Sequence, residues 1–201
     1  MARTARYDRQ VALEKAMNLF WERGYNGASM KQIEQALDMR PGSIYATFGS
    51  KDGLFGEALS AYAEQGGIAL KEHLAGYSSV LDGLQDYLRQ IAVQSSPGQE
   101  APSRACMIVK TLLEASNTNA AIADQVNAIL SSIEVSLREL LEQAKSQGEL
   151  TAGTDCARVA RFLQAQVIGL RSFAQRDTQG EHVTELAEDM AAILDQYRAR
   201  H

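Results

Sequence analysis

Apolar side chains recur every three or four positions along almost the whole chain, and that period admits helices and little else. The clearest run lies between Asn119 and Gln147, where Ile122, Val126, Ile129, Leu130, Ile133, Leu137, Leu140, Leu141 and Ala144 share one stripe. No stretch alternates in the manner of a half-buried strand. Only three prolines interrupt 201 residues, and the intervening Ala, Leu, Glu and Gln favour helix. The expected fold is therefore all-α, with about nine helices. No run reaches about 18 consecutive apolar residues, so no membrane contact is expected. The polar stretch Met1–Arg9 lacks the apolar centre of a signal peptide. Cys106 and Cys156 form no CxxC pair or ligand cluster. A reduced, cytoplasmic setting is the simplest expectation, with no metal and no cofactor.

Helix boundaries can be placed from capping residues. A first helix is expected from Asp8 to Arg23, with Val11, Leu13, Ala16, Met17, Leu19 and Phe20 inward and Gly24 just past its end. A short loop, Asn26-Gly27-Ala28, follows. Ser29 is a suitable N-cap for a second helix ending at Leu37. Asp38 sits where the chain must turn, and Asp tolerates positive φ better than most residues. A third helix runs from Arg40 or Pro41 to Phe48, with Pro41 suited to the first helical position. Ser50 begins a longer helix, Lys51 to Leu74, that Gly66-Gly67 is expected to kink or soften. Further helices are expected over Val80–Ser95, Ser103–Ala115, Asn119–Gln147, Asp155–Gln175 and Glu181–Arg200.

Two short helices joined by a three- or four-residue turn make a helix-turn-helix. In the third helix Ile44 and Phe48 face inward, while Gly42, Ser43, Ala46 and Thr47 face out. Small outward residues let a helix backbone sink into a major groove about 12 Å wide. Charge supports the same end of the chain. Residues 1–51 hold eight Lys/Arg against five Asp/Glu, whereas the rest holds twelve against twenty. A basic head on an acidic body suits a protein that docks one end on phosphates. Each residue also has a plainer reading. Tyr45 packs beside Ile44, Lys51 is a solvated helix start, and Arg3, Arg6 and Arg9 form a tail rather than a minor-groove arm.

The run Ala16-x-x-Leu19-Phe20-x-x-Arg23-Gly24-Tyr25-x-x-Ala28-Ser29-Met30-x-x-Ile33, then Gly42-Ser43-Ile44-Tyr45-x-x-Phe48-x-Ser50-Lys51-x-x-Leu54, resembles the TetR/AcrR family of transcriptional regulators. The match covers roughly residues 9 to 60. The resemblance implies a three-helix DNA-binding domain over residues 1–50. It implies an effector-binding and dimerisation domain over 51–201, and a homodimer on double-stranded DNA. It places DNA contacts at Ser29, Lys31, Arg40, Gly42, Ser43, Tyr45, Thr47 and Lys51. Ser29 would hold a phosphate at a helix N-terminus, Lys31, Gly42, Ser43 and Thr47 would lie near base edges, and Tyr45 and Lys51 would clamp the backbone. Three departures matter. Thr47 stands where the family often has His, Arg40-Pro41 replaces a capping Ser and a basic residue, and Leu37-Asp38 replaces a small residue and Gly. The operator sequence therefore does not transfer. Repression relieved by an effector is the family's usual mode.

An effector of unknown identity, either a small molecule or a redox agent, is expected in the larger domain. Candidates on its apolar faces are Tyr62, Tyr87, Met107, Phe162 and Gln166, each also readable as plain core. Cys106 is the sharper candidate, because a helix start with Arg104 and Lys110 nearby would favour thiolate. The alternative is a buried structural thiol. For the dimer interface the candidates are Phe162, Val167, Leu170, Leu186, Met190, Ile193 and Tyr197, on two helices that build a four-helix contact across a twofold axis. An enzyme is not expected. His73, His182 and His201 are scattered, and no phosphate-cradling glycine loop occurs. A helical adaptor is the remaining rival, and salt-sensitive DNA binding separates the two.

Overall fold

The computed structural model describes residues 2–95, 106–115, 118–176 and 180–199, with side chains from Arg9 onward. Among the described residues the chain forms nine α-helices and one 3-10 turn. They are α1 (Ala2–Gly27), α2 (Met30–Leu37), α3 (Pro41–Phe48), α4 (Lys51–Leu74), α5 (Val80–Gln94), α6 (Met107–Ala115), α7 (Ala120–Ser146), α8 (Cys156–Ala174) and α9 (Gly180–Ile193), followed by the turn Leu194–Tyr197. No described helix is long and apolar enough to cross a membrane.

The helices sort into two compact units. The first holds the described residues up to Gly66 together with Cys106–Ile129; the second holds the remainder. The first unit is thus larger than the 1–50 segment, because the first part of α4, α6 and the start of α7 join it. In this unit Phe20 of α1 meets Phe55 of α4 edge-on at 4.8 Å. Ile33, Ile44, Leu54, Phe55 and Leu59 are fully buried. Burying a side chain of this size contributes about 1.5–3 kcal/mol, so these residues fix α2 and α3 against the rest.

The second unit has two apolar clusters. One joins Leu81, Leu84 and Leu88 to Leu137, Leu141, Val159, Leu163 and Leu194. The other joins Ile91, Leu170, Val183 and Ala187. The N-terminus of α5 is closed by Glu149, whose carboxylate accepts from the Ser79 hydroxyl at 2.8 Å and from the amides of Val80 and Leu81 at 3.0 and 2.9 Å.

Three features differ from the sequence expectation, the first being that α1 begins at Ala2 rather than Asp8. Second, the last helix stops at Ile193 rather than running to Arg200, because the chain end turns to pair with residues 149–151. There Thr151 donates to the Tyr197 carbonyl at 2.9 Å and Ala199 donates to the Glu149 carbonyl at 2.8 Å. Third, α4 runs through Gly66-Gly67 as one helix. The expected start of α6 at Ser103, and Arg104 beside Cys106, lie outside the described residues.

Candidate nucleic-acid interface

The recognition element is built from its caps outward. Ser29 caps α2 through a reciprocal box: its hydroxyl accepts from the Gln32 amide at 3.4 Å, and the Gln32 side chain accepts from the Ser29 amide at 2.8 Å. The Ser29 hydroxyl is therefore engaged inside the protein. Any phosphate held at this helix start would meet the remaining amides rather than that hydroxyl. Asp38 closes α2 in the left-handed region, with φ 55°. At the head of α3, Arg40 makes no side-chain cap, as expected for a guanidinium, and Pro41 takes the first helical position.

α3 has two distinct faces. Ile44 and Phe48 are buried, whereas Arg40, Gly42, Ser43 and Ala46 are exposed and Tyr45 is 47% exposed. Tyr45 therefore does not pack inward beside Ile44. A Cβ placed on Gly42 would meet nothing within 4 Å, so the outer surface there is open backbone. Thr47 is half-buried, and its hydroxyl donates to the Ser43 carbonyl at 2.8 Å. Lys31 is exposed on α2.

Beside α3 the cations are held by aromatic rings. The Arg9 guanidinium lies 5.0 Å from the centre of the Phe48 ring and pairs with Glu57 at 2.5 Å. The side chains of Arg3 and Arg6 lie outside the described residues. The Lys51 ammonium lies 4.3 Å above the Tyr25 ring, a cation–π arrangement. Burial lowers its pKa, opposed by Asp52 and Glu114. The Tyr25 hydroxyl donates to Asp52, and Asn119 donates to the other Asp52 oxygen at 3.3 Å. Burial and then the Asp52 hydrogen bond push the Tyr25 phenol up to about 12. Lys51 is thus a placed cation rather than a freely solvated one. Gly53 lets this start of α4 pass against the end of α3, since a Cβ there would run into the Phe48 carbonyl.

Sequence reasoning missed the residues that hold the end of α1. Within α1, Gly24 has φ 74° and ψ 174°, so the helix proper ends there and one further turn follows. Both sides of that break are gripped by α6. The Lys110 ammonium donates to the carbonyls of Trp21 at 2.7 Å and Glu22 at 3.1 Å. The Glu114 carboxylate accepts from the amides of Tyr25 at 3.0 Å and Asn26 at 3.4 Å. This corrects one expectation: Lys110 directs its ammonium to α1 carbonyls, so it does not serve as a free cation beside Cys106. Cys106 itself is half-buried just before α6, and its carbonyl accepts from the Lys110 amide. The only sequence signal for this pair is its i, i+4 spacing; the partners lie nearly ninety residues away.

The remaining candidates divide between the units. In the first, Met107 is 1% exposed core and Tyr62 packs edge-on against Trp21 at 5.1 Å. In the second, Tyr87 is half-buried beside the His73 ring at 5.9 Å. Gln166 is buried, and its Oε1 has no hydrogen-bond partner among the described residues. Phe162 is 37% and Ile193 41% exposed. Val167, Leu186, Met190 and Tyr197 are half-buried against their own core. Leu170 is a correction: it is fully buried in the second cluster of its own chain, because it lies on the inner side of α8.

Comparison with known proteins fits this geometry. The family model described as "Bacterial regulatory proteins, tetR family" matches residues 12–58, and that described as "Tetracyclin repressor-like, C-terminal domain" matches residues 82–190. The HTH-type transcriptional repressor ComR of Escherichia coli is 28% identical over 90% of this chain and 86% of its own. The HTH-type transcriptional regulator YezE of Bacillus subtilis is 26% identical over 97% of this chain and its own full length. A solved structure of the TetR family transcriptional regulator CifR, a cysteine mutant complexed with 26-base-pair operator DNA, is 32% identical. It superposes with a TM-score of 0.82 over 91% of this chain and 94% of that one.

Proposed function

The chain belongs to the tetR family of bacterial regulatory proteins and is a DNA-binding transcriptional regulator, not an enzyme; from that premise we propose that it is a homodimeric repressor, released from a palindromic operator by an effector. The observation that carries this reading is the two-faced α3, with Ile44 and Phe48 anchored inside and open backbone at Gly42 outside. Residues 1–50, with Lys51 at the junction, carry DNA contact, and 51–201 otherwise carry effector binding and dimerisation. Gly42, Ser43, Tyr45 and Thr47 face the major groove, Lys31 and Arg40 flank it, and Lys51 and the α2 start at Ser29 hold phosphates. Support for repression comes from ComR, named a repressor. Support for operator binding comes from the CifR complex. The site of action is the cytoplasm.

The dimer forms through α8 and α9, where Phe162 and Ile193 are exposed apolar anchors and Val167, Leu186, Met190 and Tyr197 back them. A twofold pair of recognition helices then meets successive major grooves about 34–36 Å apart, or a larger spacing in phase. The effector acts by preferring a state with a different separation. Gln166 supports a ligand site in the second unit, together with Tyr87 and Phe162. A buried acceptor without a donor costs about 1–3 kcal/mol, which a bound donor recovers. In the first unit Cys106, next to Met107 in sequence, is the candidate thiol for a redox effector, with Tyr62 a further candidate in the same unit.

The test is selection of genomic fragments by the purified protein, with and without thiol oxidant. A preferred pseudo-palindrome is expected. Its absence contradicts the regulator reading and favours a helical adaptor. Alkylation of Cys106 is expected to weaken operator binding, and undiminished release of a Cys106→Ala variant by the same reagent removes the thiol from the mechanism.

A further inference from the structure

Lys110 and Glu114 form a single device around one break in the chain. Their i, i+4 spacing puts both side chains on one face of α6. The lysine meets the last carbonyls of the α1 helix, where the helix dipole favours a cation. The glutamate meets the amides of Tyr25 and Asn26, where backbone donors favour an anion. Between them lies Gly24, in the left-handed region. A Cβ at Gly24 would meet the Glu114 carboxylate, the movable end of a side chain, so it is the positive φ that calls for glycine there, and the carboxylate occupies the space the missing Cβ leaves. The direction in which the chain leaves α1 is therefore fixed by opposite charges on either side of this glycine.

That direction matters because little chain separates the break from the recognition element. Ser29, the cap of α2, stands three residues beyond Asn26. The Tyr25 ring also carries the Lys51 ammonium on its face, and its hydroxyl binds Asp52. The backbone that Glu114 holds thus bears the side chain that places Lys51. Asn119 holds the same Asp52.

We infer that Lys110 and Glu114 are positioning residues for DNA recognition, which fix α2, α3 and Lys51 in the operator-reading arrangement through the backbone on either side of Gly24. The inference rests on the DNA-binding reading above and adds residues that touch no DNA. Base readout needs a fixed helix, whereas phosphate attraction does not. Loss of the pair must therefore separate the two.

The experiment compares wild type with Lys110→Met, Glu114→Ala, Lys110→Arg and Glu114→Gln. Affinity is measured for the fragment selected by wild type and for unrelated DNA, well below each melting temperature. Exchange of the Tyr25 and Asn26 amide protons is followed in parallel. The specific-to-unrelated ratio is expected to fall about tenfold in Lys110→Met and Glu114→Ala, as the competent arrangement drops to a minor population. Unrelated binding should stay within about twofold, because its phosphate contacts remain. Lys110→Arg restores the ratio, and Glu114→Gln, which keeps one acceptor, restores part of it. Amide protection should be lost in Glu114→Ala. A lower melting temperature with an unchanged ratio reduces the pair to ordinary stabilising contacts and overturns the inference. Persistent protection in Glu114→Ala overturns it too. A wild type that selects no fragment is a different failure: it removes the DNA-binding reading and the positioning role with it.

Discussion

The outward faces of α3 and α8 differ in the chemistry they leave exposed. On α3 the outer residues are Gly42, Ser43, Tyr45 and Ala46, polar or small, with two buried anchors beneath. On α8 the outer residues include Phe162 and Ala165 above a fully buried Leu163 and Leu170. The first face offers hydroxyls, open backbone and neighbouring cations, which suit a polyanion. The second offers an aromatic side chain beside Ala165 and the exposed Arg158 and Arg161, a mixed surface on which the proposed contact with a second copy would centre on Phe162. Both helices obey the same inward rule. What differs is the chemistry left over after the core is filled, and the proposed partners follow from that remainder.

Four changes probe this contrast, in order of expected size. Gly42→Glu puts a carboxylate into open space on the α3 face, so the fold is kept. Operator affinity is expected to fall by about 100-fold, since like charges across an interface cost several kcal/mol, with dimerisation unaltered in sedimentation. Phe162→Glu tests the other face. Self-association is expected to weaken by about 30-fold, the effect of losing a buried aromatic anchor, while the melting temperature of the separated protomer holds. If either change produced the other's phenotype, the division of partners between the two faces would be wrong.

Lys51→Met keeps the aliphatic stem but removes the ammonium above Tyr25. Binding is expected to weaken about equally on all sequences, and the slope of log affinity against log salt to shrink by about one. An unchanged slope would take Lys51 off the phosphate backbone. The smallest effect concerns Tyr25. Its folded-state pKa is raised to about 12 from an ordinary 10, so folding favours the neutral phenol. The corresponding stability is present below pH 10 and is lost as pH rises through 12. Melting curves of wild type should fall more steeply than those of Tyr25→Phe over that window. Parallel curves would deny that the Tyr25–Asp52 contact is formed.

Much of the first unit could be read from sequence because its signals are local. Ser29 capped α2, Asp38 took positive φ, Pro41 opened α3, and Gly24 ended the α1 helix. Each involves neighbours within four residues, where capping and backbone preferences act. The clamp on Gly24 was not legible, because Lys110 and Trp21 approach only after α6 has docked on α1. The same limit explains α9. Its apolar period continues toward Tyr197, yet pairing with Glu149 and Thr151 diverts the chain at Ile193. It also explains Leu170. A helix buried on more than one side shows apolar residues on each, and periodicity alone does not say which side meets its own core.

Methylation interference on the selected DNA fragment tests most directly whether paired α3 helices read the major groove. Methyl groups on guanine N7, which line the major groove, are expected to block binding in two clusters about one helical turn or a whole number of turns apart. Gly42→Glu is expected to abolish both clusters together. Interference confined to minor-groove positions, or a single cluster in a fragment bound by one protomer, would contradict paired major-groove reading.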